Sequence, residues 1–121
     1  MKIAPRLFLD ASVWIAAAGS RTGASALVLD LCRHGHAKAV SSRLVLLEAE
    51  RNIRAKLGQE ALLRFYQEIA GLDLDLVEAP TPVDMLLTLD RTHFLAPPVL
   101  QAGLPLLIMT PGDFLRRWVQ G

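Results

Sequence analysis

Arg6-Leu7-Phe8-Leu9-Asp10-Ala11-Ser12 is the stretch that decides the fold, because it joins a short apolar strand to the expected start of a helix. In open α/β proteins the carboxyl end of a buried strand faces a crevice, where polar groups are within reach of a ligand. Asp10 and Ser12 stand at this position. The stretch therefore predicts a buried first strand and a functional site at its end.

Strand-like and helix-like segments alternate along the rest of the chain. The predicted helices cover residues 13–18, 24–33, 42–57, 59–69 and 111–118, and the later predicted strands cover residues 37–40, 73–77, 85–89 and 106–109. This alternation is typical of a parallel sheet covered by helices. We therefore predict an α/β protein with a three-layer α/β/α fold and a parallel central sheet, formed as a single domain over residues 1–121.

Composition narrows the class of protein. A chain of 121 residues is long enough for one domain with its own core, and the hydrophobic content of 52% with 21% charged residues is that of a soluble globular protein. The net charge of +1 argues against binding through a very large basic field. Cys32 is the single cysteine, which excludes an intramolecular disulfide, and we expect its thiol to be buried and inert. Trp14 and Trp118 have the helical spacing of core residues.

Segments that would place the chain in or across a membrane are not evident in the sequence. The apolar stretches are too short to span a bilayer, and the start of the chain lacks the pattern of a signal peptide. We expect a cytoplasmic protein with no membrane partner.

Two predicted strands end in leucine followed by aspartate, at Asp10 and at Asp90. Because parallel strands joined by right-handed crossovers point their carboxyl ends to one edge, both aspartates are expected in one cleft. The helix after the second strand is expected to supply a third acid. Its start, Leu44–Leu47, is apolar all round and is predicted to be buried. Glu48 and Glu50 both follow this run, and helical angle leaves the choice between them open.

Carboxylates gathered in one cleft repel one another unless a cation binds. Magnesium and manganese take oxygen ligands, activate water and stabilise the charge that develops on a phosphate. A metal-dependent phosphodiesterase mechanism follows from this combination. Taken singly, each acid has an ordinary explanation: a helix cap for Asp10, a turn or ion pair for Asp90, and a solvated helix charge for either glutamate.

Basic residues near these acids are candidates for contacting nucleic acid. Arg51 follows the candidate glutamates, and Arg91 follows Asp90 directly. Either arginine could position a phosphate, and His93 could donate a hydrogen bond to one. The competing explanations are a solvated helix face for Arg51 and a structural role in a loop for His93.

With these residues assembled, the sequence resembles the PIN domain, a family of metal-dependent nucleases that includes toxin ribonucleases of bacterial toxin-antitoxin pairs. Four segments carry the resemblance: Phe8–Ser12, Ser41–Arg51, Leu86–Phe94 and Thr110–Leu115. In this order, they are similar to the first acidic motif of the family, to its second acidic motif, to its late strand with an acidic turn, and to its closing strand-to-helix element. The register of the second motif favours Glu48 over Glu50.

The resemblance implies a PIN-like ribonuclease in which Asp10, Glu48 and Asp90 hold one or two Mg²⁺ or Mn²⁺ ions, with Ser12 supporting Asp10 by hydrogen bonding. Single-stranded or looped RNA is the expected substrate, since its backbone is exposed to a narrow acidic cleft. An antitoxin protein and a second copy of the chain are the further partners that the resemblance implies.

One departure from the family stands out. The family carries a further acid on a helical stretch between its second and late motifs, whereas residues 76–83 run almost directly into Asp84. Asp84 does not replace that acid, because it begins the late strand at the end opposite the predicted cleft. Two explanations stay open: a shortened, inactive relative, or the omission of an internal segment. We favour the omission of a segment between residues 76 and 84. A parallel sheet that lost its covering helices would expose apolar surface, which costs about 25 cal/mol of folding free energy per Å².

Two other functions compete with a ribonuclease. The departure described above favours a non-catalytic PIN-like module that binds RNA or a protein partner and uses its acids structurally. A small nucleotide-binding or phosphoacceptor domain also suits aspartates at strand ends. It fits less well, because the chain lacks a glycine-rich phosphate loop.

Overall fold

The computed structural model describes residues 4–78, 83–90 and 107–120. The strands are β1 (Arg6–Leu9), β2 (Lys38–Ser41), β3 (Asp75–Leu76), β4 (Met85–Leu87) and β5 (Leu107–Met109). The helices among the described residues are α1 (Ala11–Gly19), α2 (Ala24–Arg33), α3 (Arg43–Lys56), α4 (Gln59–Ala70) and α5 (Pro111–Gln120).

The five strands form one all-parallel sheet in the order β3-β2-β1-β4-β5. Together with the five helices it gives the three-layer α/β/α architecture that the alternating sequence pattern predicted. From β1 the chain moves outward to β2 and β3, and it then returns past β1 to β4 and β5. Such a reversal opens a crevice outside the carboxyl ends of the two strands that flank it, here β1 and β4.

Local sequence signals set several element boundaries. Helix α2 has the bounds predicted from its apolar spacing. Ser42 caps α3, where its Oγ accepts a hydrogen bond from the amide of Val45 at 3.1 Å. Thr110 caps α5 in the same way, accepting from the amide of Asp113 at 3.0 Å, and Pro111 takes the first helical position. These boundaries were predictable because each depends on residues within one turn.

The core is centred on β1 and on the helix that follows it. Leu7 and Leu9 are fully buried, and Trp14 on α1 is 1% exposed. The Trp14 indole donates from Nε1 to the carbonyl of Leu9 at 3.2 Å and meets the ring of Phe65 edge-on at 6.2 Å. Trp14 therefore connects β1 to α4, and its core position is confirmed.

Cys32 is buried within this core, as expected from its place on the apolar face of α2. Burial raises the pKa of its thiol to about 12. The group therefore stays a neutral thiol at neutral pH, and the expectation of an inert cysteine is confirmed on this point.

Two burial predictions are wrong in whole or in part. Of residues 44–47, Val45 and Leu46 are half-buried against the core, but Leu44 and Leu47 are 79% and 48% exposed, because α3 packs mainly through the stripe that contains Ala49 and Ile53. Trp118 is 38% exposed. It lies near the end of α5, where its ring contacts the His36 ring at a centroid distance of 5.5 Å instead of entering the core.

Two leucines on α2 allow a direct test of this packing. Leu29 is fully buried, whereas Leu27, on the same helix, is 47% exposed. We expect Leu29→Ala to lower the free energy of unfolding by about 2–5 kcal/mol, through lost transfer energy and a cavity. Leu27→Ala, with the same change in helix propensity, should change it by less than about 0.5 kcal/mol. Urea denaturation followed by circular dichroism measures both, and equal losses would contradict this placement of α2.

Candidate functional site

A cleft of about 690 Å³ opens at the carboxyl ends of β1 and β4. Three separate parts of the chain line it: the start of α1, one face of α3 and the segment after β4. The lining residues are Asp10, Ala11, Ser12, Ile15, Val45, Glu48, Asn52 and Asp90. The three acids selected from the sequence, Asp10, Glu48 and Asp90, thus lie along one cleft.

Asp10 is held in place by two hydroxyl groups. Ser12 Oγ and Thr88 Oγ1 each donate to Asp10 Oδ2, both at 2.9 Å. Both hydroxyl protons therefore go to the same carboxylate oxygen. No hydrogen bond reaches the other oxygen, Oδ1, within the part of the chain that the structure describes. The carboxylate is fixed in orientation and keeps one oxygen available as an acceptor or ligand.

The same two hydroxyls organise the backbone after β4. Ser12 Oγ accepts from the amide of Leu89 at 2.9 Å, and Thr88 Oγ1 accepts from the amide of Asp90 at 3.0 Å. Strand β4 ends at Leu87, two residues before the predicted end, and these two amides bond to side chains instead of a neighbouring strand. The turn that carries Asp90 is thereby attached to the turn that carries Asp10.

Thr88 was missed by sequence reasoning, although the signal was present. It is the one polar residue between Met85 and Leu89, and the structure buries it completely. A hydroxyl inside a buried apolar run must have a hydrogen-bond partner, because leaving it unpaired costs about 1–3 kcal/mol. Thr88 meets this requirement by bonding Asp10 and Asp90.

The structure shows which of the two glutamates on α3 faces the cleft, a choice that the helical angle left open. Glu50 accepts a hydrogen bond from the phenol of Tyr66 on α4 at 2.8 Å, and its carboxylate lies 3.9 Å from the Arg54 guanidinium. Glu48 is exposed and lines the cleft. Glu50 therefore links α3 to α4, and Glu48 is the glutamate on the cleft side.

The other residues considered from the sequence lie outside the cleft or outside the described part of the chain. Arg51 is exposed on α3 and does not line the cleft. Arg91 and His93 lie outside the described residues, so their predicted contacts with nucleic acid stay predictions. Asp84 accepts a hydrogen bond from the amide of Arg6 at 2.7 Å, at the amino end of β1. Its expected position at the end of the sheet away from the cleft is confirmed.

The three cleft carboxylates do not form a ready-made metal site. Among residues 4–78, 83–90 and 107–120 there is no group of three His, Cys, Asp or Glu side chains that could hold a metal ion. The oxygen donors nevertheless fit a hydrated hard cation, since Mg²⁺ is commonly bound by one or two carboxylates with water at the remaining positions. Asp10, fixed through Oδ2 and open at Oδ1, has the form of such a ligand.

Asn52 is a cleft residue that sequence reasoning also missed. It lies one turn beyond Glu48 on α3, and its Nδ2 donates to the carbonyl of Glu48 at 2.8 Å. The sequence gives no sign that this position faces the acids, because an asparagine four residues after a glutamate on a helix has many surface explanations. The face that α3 presents to the cleft is set by its packing against α1 and α4.

No protein-family model and no curated protein matches the chain. Among solved structures it is similar to VapC20 of Mycobacterium tuberculosis, a toxin that cleaves the sarcin-ricin loop. The sequence identity is 19% and the TM-score is 0.43, over 60% of this chain and 58% of that chain. The chain thus matches less than two thirds of the length of that toxin.

The placement of the two glutamates predicts a titration result. The hydrogen bond to Glu50 raises the pKa of Tyr66, and desolvation and the Glu50 charge act in the same direction. We expect Glu50→Gln to lower this pKa toward its ordinary value, because the neutral amide no longer repels the phenolate and its nitrogen can donate a hydrogen bond to it. Glu48→Gln should leave it unchanged. Tyr66 is the only tyrosine of the chain, so ultraviolet absorbance of the phenolate reports it without overlap from another tyrosine.

Proposed function

We propose that this protein is a metal-dependent endoribonuclease that hydrolyses the phosphodiester bonds of RNA. The observation that carries the proposal is the cleft at the reversal of strand order, lined by carboxylates from three separate elements. Asp10 enters from β1, Glu48 from α3 and Asp90 from the turn after β4. The order of the PIN-like motifs along the sequence supports the same activity.

The charge of the cleft argues for a cation between protein and substrate. Three carboxylates would repel the phosphates of a nucleic acid, and Asp10 and Glu48 have no ion-pair partner within the described residues. A bound Mg²⁺ or Mn²⁺ would supply Lewis acidity at the phosphate and lower the pKa of a bound water. Asp10, Glu48 and Asp90 would hold this cation, directly or through water, and Ser12 and Thr88 would keep the Asp10 carboxylate in orientation.

The chemistry of the cleft favours single-stranded or looped RNA as substrate. An unpaired strand presents its backbone and its 2′-hydroxyls to a narrow cleft, whereas a duplex presents grooves that such a cleft does not enter. Arg51, exposed on α3 next to Asn52, would meet phosphates outside the cleft. Arg91 and His93, which follow Asp90 in the sequence, are the other proposed contacts.

Further partners follow from the PIN-like sequence motifs. We propose that the protein acts as the toxin of a toxin-antitoxin pair, with an antitoxin protein as partner, and that it forms a homodimer. Among the helices of the described residues, none has the length and apolarity required to cross a bilayer.

A non-catalytic PIN-like module that binds RNA or a protein partner is the second candidate function. Two observations favour it: the sequence has no counterpart of the acid that the family carries before its late motif, and the described residues contain no ready-made group of three metal ligands. The two candidates differ in affinity for metal. A nuclease must bind Mn²⁺ at the cleft, whereas a degenerate module should bind it weakly or not at all.

Cleavage of single-stranded RNA by the purified protein with Mn²⁺ tests the proposal. We expect Asp10→Asn to lower the rate by more than about a hundredfold, because loss of a ligand should exceed the 10–100-fold effect typical of residues that only orient ligands. Glu48→Gln should also reduce cleavage. Glu50→Gln is the matched control: it removes the same charge from the same helix, but on the side that faces α4, and should leave the rate within about twofold.

Calorimetric titration of Mn²⁺ completes this test. Asp10→Asn and Glu48→Gln should weaken Mn²⁺ binding, and Glu50→Gln should not. If the wild-type protein leaves assorted single-stranded RNAs intact and Asp10→Asn changes neither binding nor cleavage, the enzyme proposal is wrong. RNA binding without Mn²⁺ binding would then favour the non-catalytic module.

A further inference from the structure

Asn52 has a side-chain amide whose orientation is chemically determined. Its Nδ2 lies 2.8 Å from the carbonyl oxygen of Glu48, which can only accept a hydrogen bond. The nitrogen, and not the oxygen, must therefore face that carbonyl, so the usual ambiguity between the two ends of an amide does not arise. Asn52 Oδ1 is left as an acceptor in a half-buried cleft residue, and no hydrogen bond reaches it within the described part of the chain.

A neutral acceptor has a different use from the carboxylates around it. Asp10, Glu48 and Asp90 attract cations, whereas a carboxamide oxygen accepts a hydrogen bond without adding to the negative charge of the cleft. In the backbone of RNA the phosphate offers only acceptors, and the 2′-hydroxyl of the ribose is the donor. Asn52 Oδ1 therefore complements a ribose hydroxyl and does not complement a phosphate oxygen.

The position of Asn52 agrees with contact to a ribose next to the reacting phosphate. It lies four residues beyond Glu48, about 6 Å along α3, a distance comparable with the size of one nucleotide. A phosphate held near Asp10 and Glu48 would place an adjoining sugar beside this residue. The bond from Nδ2 to the Glu48 carbonyl keeps the amide oriented before substrate arrives.

We propose that Asn52 is a specificity residue, which accepts a hydrogen bond from a ribose 2′-hydroxyl at Oδ1 and so makes the cleft prefer RNA to DNA. This inference rests on the proposed ribonuclease activity and deepens it. It assigns the discrimination between the two nucleic acids to one neutral side chain on α3, separate from the acids that hold the cation.

A cycle of one protein change and one substrate change tests this pairing. The substrates are a single-stranded RNA and the same strand with 2′-deoxyribose at the nucleotides on either side of the cleavage site. We expect Asn52→Ala to lower kcat/KM on the all-RNA strand roughly two- to tenfold, the effect of one neutral hydrogen bond. On the deoxy-substituted strand the same variant should have no effect. An equal loss on both substrates would overturn the inference.

Two controls separate specificity from metal binding and from folding. Calorimetric Mn²⁺ affinity should be the same in the wild type and Asn52→Ala, and a fall would identify Asn52 as a metal ligand and overturn the proposal. Asn52→Leu keeps the approximate size of the side chain and should repeat the kinetic result, which guards against a cavity effect of the alanine. Gln59→Ala removes an exposed carboxamide from the first turn of α4 and should change neither substrate.

The outcomes also distinguish this inference from the function on which it rests. A wild-type protein that cleaves neither strand overturns the ribonuclease proposal and the role of Asn52 together. A wild-type protein that cleaves both strands at equal rates, or that loses equal activity on both when Asn52 is replaced, retains the nuclease activity and overturns the role of Asn52 alone.

Discussion

The parallel pairing of β1 with β4 is the constraint on which the site depends. The two strands are far apart in sequence, yet their ladder continues one step beyond β1, where the amide of Asp10 donates to the carbonyl of Leu87 at 3.1 Å. This pairing brings the turn after β1 against the turn after β4. The sheet reverses its strand order between these two strands, and the cleft lies at their carboxyl ends.

Side-chain hydroxyls turn this proximity into a defined site. Ser12 follows β1 and Thr88 follows β4. Both hydroxyls donate to the same oxygen of Asp10, and both accept hydrogen bonds from backbone amides of the turn after β4. Each polar group of this network forms a hydrogen bond with another, and these bonds offset the free-energy cost of removing buried polar groups from water. The carboxylate of Asp10 is thus oriented by the fold itself, before any ligand is present.

Much of the fold was predictable, because its signals are local. The limits of α2, the Ser42 cap and the Thr110-Pro111 start of α5 each depend on neighbours within a turn. Exposure was predicted less well. The apolar start of α3 suggested burial, yet Leu44 is largely exposed, because the face that a helix buries depends on which other helices contact it. Residue type at one position does not contain that information.

The sequence by itself determined the class of fold, the position of the first strand and the presence of an aspartate after β1 and after β4. These features depend on the local order of apolar and polar residues. The PIN-like register favoured Glu48, but only the tertiary structure placed Glu48 at the cleft and Glu50 against α4, because this placement depends on Tyr66, sixteen residues beyond Glu50 on another helix. It also brought Thr88 and Asn52 into the site. Both act through the geometry of neighbouring elements, and the strand order and helix packing that create this geometry arise only when the chain folds.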